Sequence, residues 1–171
     1  MTLRLPYADS IDKTIIQRAF GKLPSMHIRL ATTSDRDSVL KLFDEFSKLL
    51  GSLDTPSKIG RAVFDEIVSD NSTKIFVAEE DNKLYGLATL YLLPNIRHGW
   101  HRGHIEDLFV SKKNQRTGVG TLILNAIKQY CRSNNVRVIK LDSGNELKEA
   151  HQFYKKNGGK TTETFFRFDL E

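Results

Sequence analysis

The chain has 171 residues, 39% of them hydrophobic and 27% charged, with a single cysteine, Cys131. That length suits one domain with a core of its own, and that composition excludes a disordered chain. No apolar run approaches the ~18 residues of a membrane span, and one cysteine excludes an internal disulfide or a cysteine-built zinc site. A reducing cytoplasm is the expected setting.

The formal net charge is +5, and it is unevenly placed. Residues 1–85 carry 12 Lys and Arg against 13 Asp and Glu, while residues 86–171 carry 14 against 8. The second half is therefore the basic half. A nucleic-acid surface, a site for a smaller polyanion, and scattered solvated lysines all fit that observation.

Residues 1–26 read as an extension ahead of the domain, which spans 27–171. Ser10 is placed to cap a short helix from Ile11 to Phe20 that Gly21 closes. Its stripe of Ile11, Ile15, Ile16, Ala19 and Phe20 needs something to dock on, either the domain or a second copy in a homodimer. The segment lacks the apolar core of a secretory signal. Pro24 marks the break.

His27 to Ala31 reads as a strand. Thr33 or Ser34 caps a helix that runs to about Leu50 and ends at Gly51. Thr55 and Pro56 open a second helix that closes near Ser69. Lys74 to Glu80 and Lys83 to Leu93 form a hairpin turning on Asp81-Asn82, two residues that tolerate positive φ, and Pro94 stops the second strand. His104 to Val110 is a third strand of this run. A helix follows from Gly118 to Arg132, then a buried strand from Val136 to Leu141, a helix from Glu146 to Lys156 and a last strand from Thr162 to Leu170. This order predicts an α/β fold, a central mixed sheet flanked by helices, with a parallel strand–helix–strand unit over 104–141.

The most informative stretch is Gln115-Arg116-Thr117-Gly118-Val119-Gly120, between a strand and a helix. Glycines let such a turn aim several backbone N–H groups one way, and the helix N-terminus behind them adds partial positive charge. Lys112, Lys113 and Arg116 add full charges. The turn suits a pyrophosphate, and a simple tight turn is the competing reading. The P-loop ending and the Gly-x-Gly-x-x-Gly fingerprint are both missing, so neither ATP nor NAD is indicated.

These residues resemble the signature of the GNAT superfamily of acetyl-coenzyme-A-dependent N-acetyltransferases, Gln/Arg-x-x-Gly-x-Gly/Ala after a strand. Gly103 to Val110 is similar to the strand that precedes it. Leu141 to Asn145 and Ala150-His151-Gln152-Phe153-Tyr154 are similar to the later half of the family's coenzyme site. The resemblance runs from His27 to Leu170. Its strand His104 to Asp107 is similar to that of glucosamine-6-phosphate acetyltransferases, and its last helix and Phe-Arg-Phe ending to aminoalkylphosphonate acetyltransferases. The two point to different acceptors, so the resemblance names none.

The resemblance implies acetyl-CoA as co-substrate, no metal, and direct acetyl transfer to a primary amine, with a small molecule as the first expectation. A protein acetyltransferase acting on lysines or N-termini is the alternative, and a non-catalytic coenzyme- or nucleic-acid-binding module is a third. It implies that the backbone of Leu108, Phe109 and Val110 holds the pantetheine arm between splayed strands. The amides of Gln115, Arg116, Thr117, Gly118, Val119, Gly120 and Thr121 would hold the pyrophosphate, and Asn145 would add a side-chain contact. Glu106 falls at the family's base position, acting directly or through a water. Strand alternation would turn its neighbour Asp107 to the opposite face. Tyr154 would hydrogen-bond the leaving sulfur, leaving Phe153 to the core. Two departures stand out: Arg116 where glycine is common, and Gly158-Gly159-Lys160 where an apolar residue usually follows the glycine.

Three histidines, His98, His101 and His104, invite a metal reading, but no ligand pattern accompanies them. The loop expected from Pro94 to Arg102 lines an acceptor pocket, a dimer contact or plain solvent. Cys131, late on an amphipathic helix, is a packing residue, since direct transfer needs no acyl-enzyme.

Overall fold

The computed structural model describes residues 26–51, 58–168 and 170. The N-terminal helix over 11–20 and the Thr55-Pro56 cap lie outside the described residues. The elements are β1 (His27–Leu30), α1 (Arg36–Leu49), α2 (Lys58–Ser69), β2 (Thr73–Glu80), β3 (Lys83–Asn95), β4 (Trp100–Val110), α3 (Val119–Ser133), β5 (Val136–Leu141) and α4 (Lys148–Lys156). The strands form one sheet in the order β1-β2-β3-β4-β5. Neighbours are antiparallel through β4, and β4 pairs with β5 in parallel across α3.

Apolar side chains alternate along the central strands, so each face of the sheet carries its own core. One face packs α3 through Ile123, Ile127 and Cys131 against Ala88, Leu90, Ile105 and Val110. The other packs α1 and α2 through Val39, Leu42 and Phe64 against Val77, Leu87 and Phe109. Phe46 stacks on Phe109 with ring centroids 5.0 Å apart. Burial on both faces is what fixes register here, because a one-residue slip would expose every core side chain of a strand.

Local chemistry sets the ends. The entry to α1 is a 3-10 turn capped by Thr32, whose backbone N–H donates to Asp35 Oδ2 at 2.7 Å. Arg29 clamps the same carboxylate and also bonds Glu79. Hydrogen bonding by Arg29 holds the Asp35 carboxyl down to about 2. Asp81 and Asn82 turn the β2–β3 hairpin with φ of 48° and 57°. Gly51 ends α1 at φ 72°, as expected.

Three boundaries differ from the sequence reading. β3 runs on through Pro94, which faces His101, and β4 begins at Trp100, so the expected loop shrinks to residues 96–99. Proline lacks only a donor, and the last rungs of a hairpin tolerate its loss. Gly99 at φ 65° and its N–H bond to the Asn95 carbonyl close the turn instead. Helix α4 begins at Lys148, because Asn145-Glu146 forms a turn.

The strand expected from Thr162 to Leu170 is the third difference. Residues 161–168 carry no strand, and Phe165, Phe166, Phe168 and Leu170 are exposed. Lys140 Nζ donates to Glu163 Oε1 at 2.7 Å and ties the segment's start to β5. Alternation specifies two faces but not a neighbour, and a strand exists only through its ladder.

Candidate active site

The parallel β4–β5 ladder ends at the pair Ile105–Leu141. Beyond it β5 stops, while β4 continues to Val110 with β3 on its other side. The edge of β4 from Glu106 to Val110 therefore faces a gap. This is where the family resemblance puts an arm along Leu108, Phe109 and Val110. The side chains of Phe109 and Val110 are buried and that of Leu108 half-buried, which leaves their backbone as the polar feature of the gap.

At the end of β4 the chain turns into α3. Gly118 sits at the N-cap with φ 97°, a conformation open mainly to glycine. The first bond of the helix is donated by Leu122 N–H to the Gly118 carbonyl, at 3.0 Å. The amides of Val119, Gly120 and Thr121 precede it and belong to no intrahelical bond. Gly120 lets α3 approach α4: a Cβ there would lie 3.3 Å from the Phe153 ring. Arg116 holds φ 64°, in the left-handed region that glycine occupies freely. Gln115 turns its side chain inward, Nε2 donating to the Val110 carbonyl at 3.0 Å, so it braces the turn against β4. Thr117 Oγ1 bonds the Asn114 carbonyl. Asn145 is exposed in the turn after β5.

Beside the gap lies a set of titratable side chains. The β3–β4 register pairs Thr89 with Asp107 but Leu90 with Ile105, so Glu106 is the residue the ladder skips. Such a bulge re-aims a side chain. Gly103 and Ile105 face α3, so His104 faces the opposite side, and Glu106 shares it: His104 Nε2 lies 3.3 Å from Glu106 Oε2. Asp107 shares it too, since its partner Thr89 lies on the strand face that carries Leu87, Val77 and Phe109. The expectation that Glu106 and Asp107 point apart is therefore overturned by the bulge. Burial, and then the Glu106 charge, push the Asp107 carboxyl up to about 6, against a hydrogen bond from Thr89 that lowers it. Tyr91 is pushed up by burial and by both carboxylates.

Asp142, just past β5, completes the set, with Oδ2 3.7 Å from His104 Nε2. Sequence reasoning missed His104 and Asp142 as members. Strand parity between His104 and Glu106 was the available signal for the first; for the second there was none, because β5 is parallel and distant in sequence.

Tyr154 sits on α4 next to Phe153, their rings edge to face at 5.3 Å. Phe153 packs on the α3 core, as expected. Burial pushes the Tyr154 hydroxyl up, so it stays protonated at neutral pH. Cys131 is buried in the same core and burial pushes its thiol up to about 11. His98 stacks on Trp100 at the hairpin turn, and His101 lies on β4 rather than in a loop. Among the described residues no helix is long and apolar enough to cross a membrane.

Comparison with known proteins gives the family and the fold. The chain is 24% identical over 145 residues to the uncharacterised N-acetyltransferase YhfO of Bacillus subtilis, covering 85% of this chain and 97% of that protein. It is 25% identical over 154 residues to the aminoalkylphosphonate N-acetyltransferase of Salmonella typhimurium, covering 90% and 96%. The solved acetyltransferase of Trypanosoma brucei superposes with a TM-score of 0.71 at 25% identity, over 85% of this chain and all of that one (100%). An aminoglycoside acetyltransferase from an uncultured soil metagenomic sample shares the fold at TM-score 0.75 and 20% identity, over 85% and 97%. The family model described as the acetyltransferase (GNAT) family matches residues 36–159, most of the chain, and this chain belongs to that family and is an acetyltransferase.

Proposed function

We propose that the chain moves the acetyl group of acetyl-CoA directly to a primary amine of a small molecule. The observation that carries this reading is the edge of β4 over Glu106 to Phe109, which has no strand partner on the β5 side among the described residues, with free helix amides at one end and carboxylates beside it.

Family members use acetyl-CoA, and the residues present fit it. The β4 edge offers main-chain donors and acceptors to an extended amide arm, as in strand addition. The amides over 116–121 and the positive end of α3 suit a pyrophosphate, with Lys112, Lys113 and Arg116 beside them. The bound thioester supplies an activated acetyl group.

The chain's own groups then handle protons and position. An alkylamine arrives largely as an ammonium and must lose a proton to become a nucleophile. Glu106 accepts that proton, directly or through one water. Asp107 on the same face adds a second carboxylate that draws the ammonium in. His104, between Glu106 and Asp142, holds the Glu106 carboxylate toward the gap. Tyr154 keeps its proton and donates a hydrogen bond to the departing sulfur. By their names, the relatives act on small molecules: an aminoalkylphosphonate, glucosamine 6-phosphate and aminoglycosides.

The test is release of free coenzyme A thiol with a panel of small amines and a panel of lysyl and N-terminal peptides. Turnover with amines supports the reading. Turnover confined to peptides favours a protein acetyltransferase. Full turnover in both Glu106→Gln and Tyr154→Phe would remove the roles given to them.

A further inference from the structure

The charged face of β4 extends one step past the groups used above. Arg102 lies two residues before His104 and so shares its face. It pairs across the sheet with Leu93 on β3 and with Val138 on β5. Its stem is flanked by these aliphatic side chains, and Val138 is 40% exposed, so this end of the face opens to solvent. The Nε atom of Arg102 is nevertheless buried and has no hydrogen-bond partner among the described residues. Among the described residues the polar contacts at this end of the sheet leave it out: His104 lies against Glu106 and Asp142, and Lys140 takes Glu163. A buried guanidinium donor without an acceptor costs free energy, and it calls for a group that would satisfy it.

The arrangement along the face is ordered by sign. Arg102 stands at one end. Glu106, Asp107 and Asp142 stand at the other, with His104 and, on β5, Lys140 in between. Four residues of strand separate Arg102 from Glu106, about 13 Å of backbone at ~3.3 Å per residue. A ligand that fits both ends has a cation at the carboxylates and an anion at the guanidinium.

Resting on the small-molecule reading above, we infer that the preferred acceptor amine carries an anionic group, phosphate, phosphonate or carboxylate, and that Arg102 is the residue that binds it. The planar guanidinium takes two oxygens of such a group at once, which a lysine does not reproduce. Lys140 adds charge to the same anion by exchanging its bond to Glu163. An amine with a second cation in place of the anion meets Arg102 as a like charge and is selected against.

The test uses matched amines: 2-aminoethylphosphonate against propylamine, glucosamine 6-phosphate against glucosamine, and β-alanine for the carboxylate. For the wild-type chain the anionic member of each pair is expected to have kcat/KM at least tenfold higher. In Arg102→Met, which keeps the buried stem, that ratio is expected to fall at least tenfold, mainly through KM. The ratio between the phosphonate and β-alanine separates the anion classes. A preference for the neutral amines, or an Arg102→Met variant with the wild-type ratio, overturns the inference. A second measurement does not depend on turnover. With coenzyme A saturating, methylphosphonate is expected to raise the melting temperature of the wild-type chain and not of Arg102→Met. No shift in the wild type overturns the inference. A shift lost in the variant, together with acetylation of peptides alone, keeps the anion site and overturns the small-molecule reading instead.

Discussion

Glu106 and Asp107 are consecutive on β4 and yet lie on one face of the sheet, because the β3–β4 ladder passes over Glu106 and resumes at the pair Thr89–Asp107. Two carboxylates are thus presented side by side at the point where β4 loses its β5 partner. Burial and the Glu106 charge raise Asp107 to about 6, so the pair offers one exposed carboxylate and one whose charge is held back until near-neutral pH.

Glu106→Gln keeps the shape and removes the proton acceptor. A positioned base contributes typically about 10²–10⁴-fold. Turnover in the variant is expected to fall at least 100-fold, while the melting-temperature rise produced by acetyl-CoA is retained. Steady-state kinetics and a thermal-shift titration check both halves. Unchanged turnover would refute the assignment.

Asp107→Asn tests the pH dependence. The folded-state carboxyl titrates at about 6, above its ordinary value of 3.8. The folded chain therefore binds the proton more tightly than the unfolded chain, and this group's cost to stability grows as pH rises from about 4 to about 6. Asparagine removes the titration. The variant's gain in melting temperature over the wild type is expected to be small at pH 4, to grow through that window and to level off above it. A gain independent of pH would show that Asp107 is not held up.

Arg116 pays for its left-handed backbone, φ 64°, with strain that glycine does not have. Arg116→Gly relieves it, offset by the extra freedom glycine brings to the unfolded chain. A net stabilisation of about 0.5 kcal/mol is expected from denaturant unfolding. The same change removes a cation at the α3 N-terminus, so the KM for acetyl-CoA is expected to rise severalfold. A lower KM would mean that Arg116 obstructs the turn rather than completing it.

Gly120 brings α3 against the Phe153 ring, with only 3.3 Å available to a Cβ. Gly120→Val overfills that contact, which costs about 1–3 kcal/mol. It also pushes α3 away from α4 and disturbs amides next to the gap. Lower thermal stability together with weaker coenzyme A binding is expected. Loss of stability alone would uncouple the α3–α4 contact from the coenzyme turn.

Much of this protein was legible one residue at a time. The Asp81-Asn82 turn, the β5 strand and the helix opening at Gly118 follow from local rules of backbone freedom and side-chain period, and the Gln115–Gly120 turn carried the family resemblance in combination with the strand before it and the segments 141–145 and 150–154. Partners and faces were not legible, because they depend on groups far apart in sequence. Whether residues 162–168 join a ladder depends on pairing with a neighbouring edge, and they form no rungs with β5 although Glu163 reaches Lys140 there. Whether Pro94 ends a strand depends on which backbone donors its partner needs. The sharing of one face by Glu106 and Asp107 depends on how β3 registers against β4, and the meeting of His104 with Asp142 on how α3 returns the chain beside β4. Local sequence determined most of the elements and the glycine turn at 115–120; only the packing of strands from distant segments decided which carboxylates and cations meet beside the β4 gap.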